Sequence, residues 1–283
     1  MNSSTLLSRR GLLRRAGFGT AGLVIAGGGV GAYARVVEPE WLDVIHVPLV
    51  LPRLDGAFTG YRIVQVSDIH MDSWMTPQRL TDIVRTVNAQ NPDLIAITGD
   101  FVTDDAPTFA GNLTTVLSDL TAHDGVVAVL GNHDHWSGST SIHDVIHESG
   151  MRDLTNVSHT IVRGNAVLHI AGVDDIWAGN PQLEAVTQQL PKIGAAILLA
   201  HEPDFADVSA ATGRFDLQLS GHSHGGQVRM PLFGPIHSVY MGRKYVAGLY
   251  HVGSMLQYTN RGVGMLSLHV RFNCRPEITV FTL

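Results

Sequence analysis

The sequence is poor in the residues on which several common kinds of protein depend. Its 283 residues include a single cysteine, Cys274, which excludes an intrachain disulfide and a thiolate metal site. Charged residues make up only 16% of the chain, the net charge is −6, and no run of Lys or Arg lies beyond the N-terminus. Nucleic acid is therefore not an expected partner, because binding along its phosphate backbone needs a basic surface.

Apolar residues and histidines, in contrast, are plentiful. Hydrophobic residues make up 45% of the chain, and no low-complexity stretch or repeat interrupts it. After a leader of about 35 residues, the remainder fits one large domain with a single core. Fifteen histidines are present, so we expect any metal site to use imidazole and carboxylate ligands.

The first 35 residues have the order of an export signal. Paired Arg9 and Arg10 precede an uncharged stretch, residues 16–34, that ends in a small-x-small pattern at Ala32 to Ala34. This order predicts a twin-arginine signal that is cleaved after Ala34. A retained membrane anchor is the alternative, because a stretch of this length can span a bilayer, although its glycines weaken such a helix.

From Tyr61 onward, short apolar runs alternate with helix-like segments, which is typical of an α/β domain. Nearly continuous apolar character indicates strands that are covered on both faces. The predicted strands are residues 62–66, 94–98, 126–130, 196–200 and 215–219.

Three helices are predicted between these strands, at residues 77–88, 108–120 and 141–148. The first has Thr76 as its N-cap and Pro77 at its first position. Residues 155–172 predict a β-hairpin and hence a second sheet, and residues 265–283 are expected to add strands to that sheet.

Each of the five predicted strands ends in a residue that can bind a metal ion. The candidates are Asp68 and His70, then Asp100, then Asn132, His133 and Asp134, then His201, and finally His222 and His224. Open α/β sheets place their ligands at the carboxyl ends of their strands, so these residues should converge on one rim. Gly99, Gly131 and Gly221 precede the candidates and would permit a close approach of the backbone.

These motifs, in this order, resemble the motif series of the calcineurin-like metallophosphoesterases over about residues 61–250. The resemblance implies an α/β fold of two packed mixed β-sheets flanked by helices, in four layers α/β/β/α. It also implies a signal or anchor at residues 1–35, a linker with a first strand at residues 36–60, and a metallophosphoesterase domain at residues 61–283.

The same resemblance implies two metal ions that share Asp100. One ion would be held by Asp68, His70, Asp100 and His224, and the other by Asp100, Asn132, His201 and His222. His133 would be a catalytic residue that donates to the substrate phosphate or the leaving oxygen, with Asp134 holding its ring.

This ligand set has a chemical reason. Two cations can neutralise the charge of a phosphate ester and lower the pKa of a water molecule, so that metal-activated water cleaves the ester. Carboxylate, carboxamide and imidazole ligands suit Mn²⁺, Fe or Zn²⁺. The expected substrate is a phosphodiester or a phosphomonoester.

The longer motifs around Asp68, Asp174, His222 and Arg243 resemble a narrower branch, the YkuE/YaeI-like phosphodiesterases. That resemblance implies export by the twin-arginine machinery to an extracytoplasmic or periplasmic location, with membrane or cell-wall association, and a lipid- or cell-envelope-linked phosphate as substrate. One alternative is a UDP-2,3-diacylglucosamine-type pyrophosphatase of lipid A synthesis. A non-catalytic metal-binding scaffold is disfavoured, because every ligand position and His133 are present.

Several other residues lie near the motifs in the sequence. Asp174 and Asp175 are interpreted as turn-forming acids. Residues 230–235 are interpreted as a packed connector, with a lipid-facing lip as the alternative. Three side chains would either contact substrate or cover the core: Trp74, His135 and Trp136.

Overall fold

The computed structural model describes residues 28–266 and 268–283. The predicted twin-arginine motif at Arg9 and Arg10 lies outside these residues. The described chain begins with helical turns that include Tyr33–Val37 and Glu38–Glu40. Across residues 28–266 and 268–283, no helix combines the length and the apolar character that a membrane crossing needs.

The first sheet has six strands in the order β1-β14-β2-β3-β4-β5. They are β1 (Asp43–Pro48), β2 (Arg62–Val66), β3 (Leu94–Thr98), β4 (Val126–Val129), β5 (Arg152–Asp153) and β14 (Glu277–Thr282). Strands β2 to β5 run parallel to one another, whereas β14 is antiparallel to β2 and parallel to β1. The sheet is therefore mixed.

The second sheet has six strands in the order β12-β13-β9-β8-β7-β6. They are β6 (Ser158–Arg163), β7 (Ala166–Gly172), β8 (Ala195–Leu199), β9 (Leu217–Ser220), β12 (Gly248–Val252) and β13 (Met255–Thr259). Strands β6 and β7 form the hairpin that residues 155–172 predict. A separate two-stranded hairpin joins β10 (Arg229–Met230) to β11 (Gly234–Pro235).

Within residues 28–266 and 268–283, the α-helices that flank the sheets are α1 (Pro77–Asn88), α2 (Ala106–Leu117), α3 (Asn132–Glu148), α4 (Leu183–Gln189) and α5 (Ala206–Ala211). Short 3-10 turns lie at Gly56–Phe58, Pro203–Phe205 and His224–Gly226. Helix α1 begins as predicted, because the side chain of Thr76 accepts the N–H of Arg79 and Pro77 occupies the first position.

Successive side chains along each strand face opposite sides of the sheet, so each sheet packs on both of its faces. Three hydrophobic cores result, each lying between two neighbouring layers of the four. On β3, Ile95 and Ile97 pack against α1, α2 and α3, whereas Leu94 and Ala96 pack between the two sheets. On β8, Leu198 and its neighbours on the outer face pack against α4 and α5. The α/β/β/α arrangement of two packed sheets flanked by helices is confirmed.

The prediction that the C-terminal residues add strands to the second sheet is wrong. Strand β14 lies between β1 and β2 in the first sheet, not in the second. Its alternation explains the placement, because Ile278 and Val280 face the helices of the first sheet while Phe281 faces the inter-sheet core. A pattern of alternating apolar residues identifies a strand but carries no information on its partners.

Two helix boundaries and one loop also differ from the prediction. Helix α2 spans Ala106–Leu117 instead of residues 108–120, and α3 begins at Asn132 instead of residue 141. The first turns of α3 are polar and bend at Gly138, so they lack the apolar periodicity that marks a helix. The packed-connector interpretation of residues 230–235 is wrong at the hairpin tip, where Leu232 and Phe233 are 103% and 86% exposed.

Candidate metal centre

The candidate ligands meet at one rim of the molecule, as predicted. They follow the carboxyl ends of β2, β3 and β4 in the first sheet and of β8 and β9 in the second. Three overlapping groups have ligand atoms within 4.8 Å of one another. These groups are Asp68, His70 and His224; His70, Asp100 and His133; and Asp100, His201 and His222.

Asp100 lies at the centre of the rim. One of its carboxylate oxygens, Oδ2, is 3.1 Å from Nε2 of His201 and 3.4 Å from Nε2 of His70. On the far side of His70, Nε2 of His224 is 3.0 Å from Nε2 of His70 and 3.3 Å from Oδ1 of Asp68. The carboxylate of Asp100 therefore adjoins His201 on one side and His70 on the other.

The backbone of the rim is held in an uncommon conformation. Five candidate ligands have φ between 48° and 66°, in the left-handed region that most residues avoid: Asp68, His70, Asp100, His222 and His224. Such conformations persist only where the surrounding structure enforces them, and they concentrate at functional sites.

Two glycines bring the loops close enough to form the cluster. A Cβ atom at Gly131 would lie 2.3 Å from Oδ1 of Asp100. At Gly221 it would lie 1.9 Å from Oγ of Ser67 and 2.2 Å from Oδ2 of Asp68. A side chain at either position would displace a candidate ligand.

Hydrogen bonds to backbone carbonyls orient two of the imidazoles. Nδ1 of His201 donates to the carbonyl of Thr98 at 2.7 Å, and Nε2 of His222 donates to the carbonyl of Tyr240 at 2.6 Å. In each ring the donating nitrogen carries the proton, which leaves the other nitrogen able to bind a metal ion. Metal-binding histidines commonly have this arrangement.

Buried polar atoms at the rim have the chemistry that fits a metal ion. Among the described residues, Oδ1 of Asn132 is buried and makes no hydrogen bond, and Nε2 of His201 faces the carboxylate of Asp100 at 3.1 Å. Leaving such an atom unpaired costs about 1–3 kcal/mol, unless a ligand satisfies it. A carboxamide oxygen and an imidazole nitrogen are both metal ligands, so these atoms fit the donor set that the sequence predicts.

The electrostatics of the rim also favour a cation. Burial alone would raise the pKa of Asp100, but the charges and hydrogen bonds of His201 and His70 outweigh it and hold that pKa well below the usual value. Burial opposes protonation of His201, yet the charge of Asp100 raises the pKa of this ring well above 6.5. Burial lowers the pKa of His222 to about 3, which keeps its ring neutral.

The predicted pairing of His133 with Asp134 is wrong. Nδ1 of His133 donates instead to the carbonyl of Thr103 at 2.7 Å. The Asp134 carboxylate accepts the backbone N–H groups of Asp100, Phe101 and Gly131 at 2.8–2.9 Å. Asp134 therefore joins the loops after β3 and β4. Burial, followed by the charge of Asp100, raises its pKa to about 7.

The residues near the motifs whose roles the sequence does not decide lie in different parts of the structure. Trp136 is next to the ring of His133, with centroids 5.1 Å apart. Nε2 of His135 pairs with Asp174 at 2.7 Å, and Trp74 packs on the first core beneath Arg79. Asp174 accepts backbone N–H groups of its own loop, as expected of a turn-forming acid.

Two aromatic residues near the rim were missed in the sequence. The ring of Trp177 lies 6.0 Å from that of His222, and Tyr240 contacts Trp177. Trp177 follows Asp174 and Asp175, which lie just after β7. An aromatic residue just beyond the end of a strand was therefore the one sequence feature that could have indicated its position at the rim. Tyr240 lies just before the motif around Arg243 but is not part of it, and it carried no such signal.

Comparison with known proteins identifies the family. Residues 61–226 match the family described as calcineurin-like phosphoesterases. The chain belongs to this family. The phosphoesterase is therefore a metal-dependent hydrolase, and its clustered Asp and His side chains fit a metal site.

Relatives of similar length support this assignment. The phosphoesterase is 38% identical to YkuE of Bacillus subtilis strain 168, described as an uncharacterized metallophosphoesterase, over 98% of both chains. It is 33% identical to the phosphodiesterase YaeI of Escherichia coli K12, over 98% of this chain and 100% of that one. A solved structure, the NAD nucleotidase NadN of Haemophilus influenzae, matches with a TM-score of 0.50 and 14% identity over 72% of this chain and 45% of that chain, which shows the shared fold alone.

Proposed function

We propose that the phosphoesterase hydrolyses a phosphodiester with the help of two divalent metal ions, Mn²⁺, Fe or Zn²⁺. Asp68, His70, Asp100 and His224 would hold one ion, and Asp100, Asn132, His201 and His222 the other. The observation that carries the proposal is the position of Asp100, which belongs to two groups of clustered ligands. The unpaired Oδ1 of Asn132 and the contact of Nε2 of His201 with Asp100 support the second ion.

The diester preference rests on the full-length similarity to YaeI, which is named a phosphodiesterase. A phosphomonoester remains within the reach of the same chemistry. When bound, the two ions would neutralise the charge of the phosphate and lower the pKa of a water molecule.

His133 would act on the substrate itself. Its Nδ1 is committed to the carbonyl of Thr103, so Nε2 is the nitrogen left to give a proton to the leaving oxygen. Its ring is partly exposed, whereas those of His70, His201, His222 and His224 are buried. His133 is thus accessible to a substrate at the rim, and Asp134 supports it only through the loop that carries Asp100.

The test is hydrolysis after exchange of the metal. Purified protein is stripped with a chelator, reloaded with Mn²⁺, Fe²⁺ or Zn²⁺, and assayed with bis(p-nitrophenyl) phosphate and p-nitrophenyl phosphate. We expect no turnover by the stripped protein and recovery with at least one metal, with the diester preferred. Absence of turnover with all three metals would refute the proposal.

For location, we propose export through the twin-arginine machinery and action on a lipid- or cell-envelope-linked phosphate. The paired Arg9 and Arg10 ahead of an uncharged stretch support this proposal. Replacing both residues by Lys should retain the protein in the cytoplasm, as measured by cell fractionation. Unchanged export of that variant would contradict the proposal.

A further inference from the structure

We propose that Trp136, Trp177 and Tyr240 form a stacking surface that binds a flat ring of the substrate, either a nucleobase or an aryl group, beside the phosphate. The inference rests on the proposed phosphoesterase function and adds the chemical class of the esterified group. None of the three residues belongs to the motif series.

The three rings form one continuous surface. Trp136 and Trp177 have centroids 4.8 Å apart at an interplanar angle of 83°, and Trp177 and Tyr240 have centroids 5.5 Å apart at 62°. All three remain exposed, at 54%, 44% and 53% respectively. Contiguous exposed aromatic residues are uncommon on a soluble surface and typically mark a binding site.

This surface adjoins the candidate metal centre at two points. The ring of Trp136 lies 5.1 Å from that of His133, and the ring of Trp177 lies 6.0 Å from that of His222. The backbone carbonyl of Tyr240 also accepts Nε2 of His222. A group esterified to a phosphate at the rim would therefore lie within reach of the rings.

The loop that carries Trp177 is held in place before any ligand arrives. The side chain of Asp175 accepts the N–H groups of Trp177 and Ala178 at 3.0 and 2.5 Å. The side chain of Glu202 accepts those of Ile176 and Trp177 at 3.1 and 3.0 Å. Because both carboxylates are fully buried, the loop is preorganised and little entropy is lost when a ring stacks on it.

The spacing of the rings favours a flat ligand over a cation. An aromatic cage for a quaternary ammonium group needs space between its walls. Here the neighbouring rings touch one another edge to face, so the exposed faces are what remains for a ligand. Flat rings stack on such faces, and the indole N–H and phenol O–H can meet the polar edge of a base.

The test is calorimetric titration of the metal-loaded protein with phosphonates that differ in one group. The probes are phenyl-, cyclohexyl-, n-hexyl- and methylphosphonate, together with the methylenephosphonate analogue of uridine monophosphate, which has no cleavable ester bond, as the nucleobase arm. We expect phenylphosphonate or the nucleotide to bind roughly 5- to 100-fold more tightly than methylphosphonate, and also more tightly than the cyclohexyl and hexyl compounds. Tighter binding of phenylphosphonate would indicate an aryl group, and tighter binding of the nucleotide would indicate a nucleobase.

Variants separate stacking from other effects. Trp177→Ala should remove most of the preference for the flat ring and leave methylphosphonate binding unchanged. Trp177→Phe should keep the preference for the flat ring. Trp41→Ala is the matched control, because Trp41 is also 54% exposed but stacks on Arg275 beside β1. That variant should behave like the unaltered protein.

Two results would overturn the inference. Cyclohexyl- or hexylphosphonate binding as tightly as phenylphosphonate would show a general apolar surface. Equal weakening of all phosphonates by Trp177→Ala would place Trp177 in support of the metal centre. Failure of the proposed function is distinguishable, because it would appear as absent hydrolysis by the unaltered metal-loaded protein, whereas calorimetry measures binding alone.

Discussion

The two sheets bring different chemistry to the same rim. The first sheet supplies the candidate oxygen ligands Asp68, Asp100 and Asn132 together with one imidazole, His70. The second sheet supplies imidazoles alone as candidate ligands, from His201, His222 and His224. Neither sheet has the complete candidate set, so the cluster exists only where the sheets pack together.

Direct hydrogen bonds join the two sheets at this rim. The N–H of His222 donates to Oδ1 of Asp68 at 2.9 Å, and Nδ1 of His201 donates to the carbonyl of Thr98. Deeper in the interface, the side-chain amide of Gln65 donates to the carbonyl of Ser220 at 3.0 Å. Metal binding and the packing of the sheets should therefore be coupled.

The largest effect is expected at Asp100, the carboxylate that contacts ligands from both sheets. Asp100→Asn removes the charge that two ions would share, so we expect activity to fall roughly 10⁴-fold or more. The measurement is kcat/KM with bis(p-nitrophenyl) phosphate, together with metal content. Asp104→Asn, an exposed position in the same loop, is the control and should be neutral. Comparable activity of the two variants would contradict a shared ligand.

His133 should show a different profile, because it belongs to the first sheet's loops but is assigned no metal. His133→Ala should lower kcat roughly 10²- to 10⁴-fold, since an imidazole acid contributes about that much. Metal content should be unchanged, as measured by elemental analysis. Loss of metal in this variant would instead identify His133 as a ligand, in keeping with its position near His70 and Asp100.

Much of the first sheet and of the rim could be predicted from the sequence. Strands β2 and β3 have the predicted bounds, because buried parallel strands are continuous apolar runs that end abruptly at a polar ligand. The convergence of the candidate ligands followed from strand polarity alone.

What could not be predicted depended on contacts between distant segments. The sheet that β14 joins is decided by pairing with β1 and β2, which lie far away in the chain. The family resemblance implied that Asp134 holds the ring of His133, but loop packing places its carboxylate against the N–H groups of Asp100 and Phe101. Trp177 is not itself a residue of any motif.

A smaller effect is expected where a glycine separates the ligands of the two sheets. Gly131→Ala places a Cβ atom 2.8 Å from Nε2 of His201 and closer still to Asp100. The displaced ligands should lower metal affinity roughly 10- to 100-fold, the size typical of changes just outside a ligand set. Competition with a chelator of known affinity measures it.

Gly111→Ala is the matched control for that substitution. Gly111 lies in α2, and an added Cβ would meet no atom within 4 Å. This variant should keep its metal affinity and gain about 0.5–1 kcal/mol in the free energy of unfolding, since Ala is the better helix former. Equal losses of affinity in the two variants would argue against crowding at the rim.

Removal of the metal should loosen the contact between the sheets. A ligand at 100 times its Kd adds about 2.7 kcal/mol of stability, which corresponds to a fall in Tm of roughly 5–10 °C on chelation for a domain of this size. Scanning calorimetry with and without chelator measures the shift. Asp100→Asn should show a smaller fall in Tm on chelation. A fall equal to that of the unaltered protein would show that metal binding is not coupled to the packing of the sheets.

The smallest effect is expected from a histidine–carboxylate pair that stays within one half of the molecule. Nδ1 of His143 in α3 lies 2.5 Å from Oδ2 of Asp153 in β5, and both side chains are partly exposed. The hydrogen bond to Asp153 raises the pKa of His143 above its ordinary value of 6.5. A raised histidine pKa stabilises the fold below the unfolded pKa, and this contribution is lost as the pH rises through the folded pKa.

His143→Ala should therefore lower the free energy of unfolding by about 0.5 kcal/mol near pH 5.5 and by less near pH 9, because exposed pairs contribute little. Urea unfolding at the two pH values measures the difference. Metal affinity should not change, since the pair contacts neither the rim nor the second sheet. If this variant weakened metal binding as much as Gly131→Ala, the site would depend on the first sheet's outer layer rather than on the contact between the sheets.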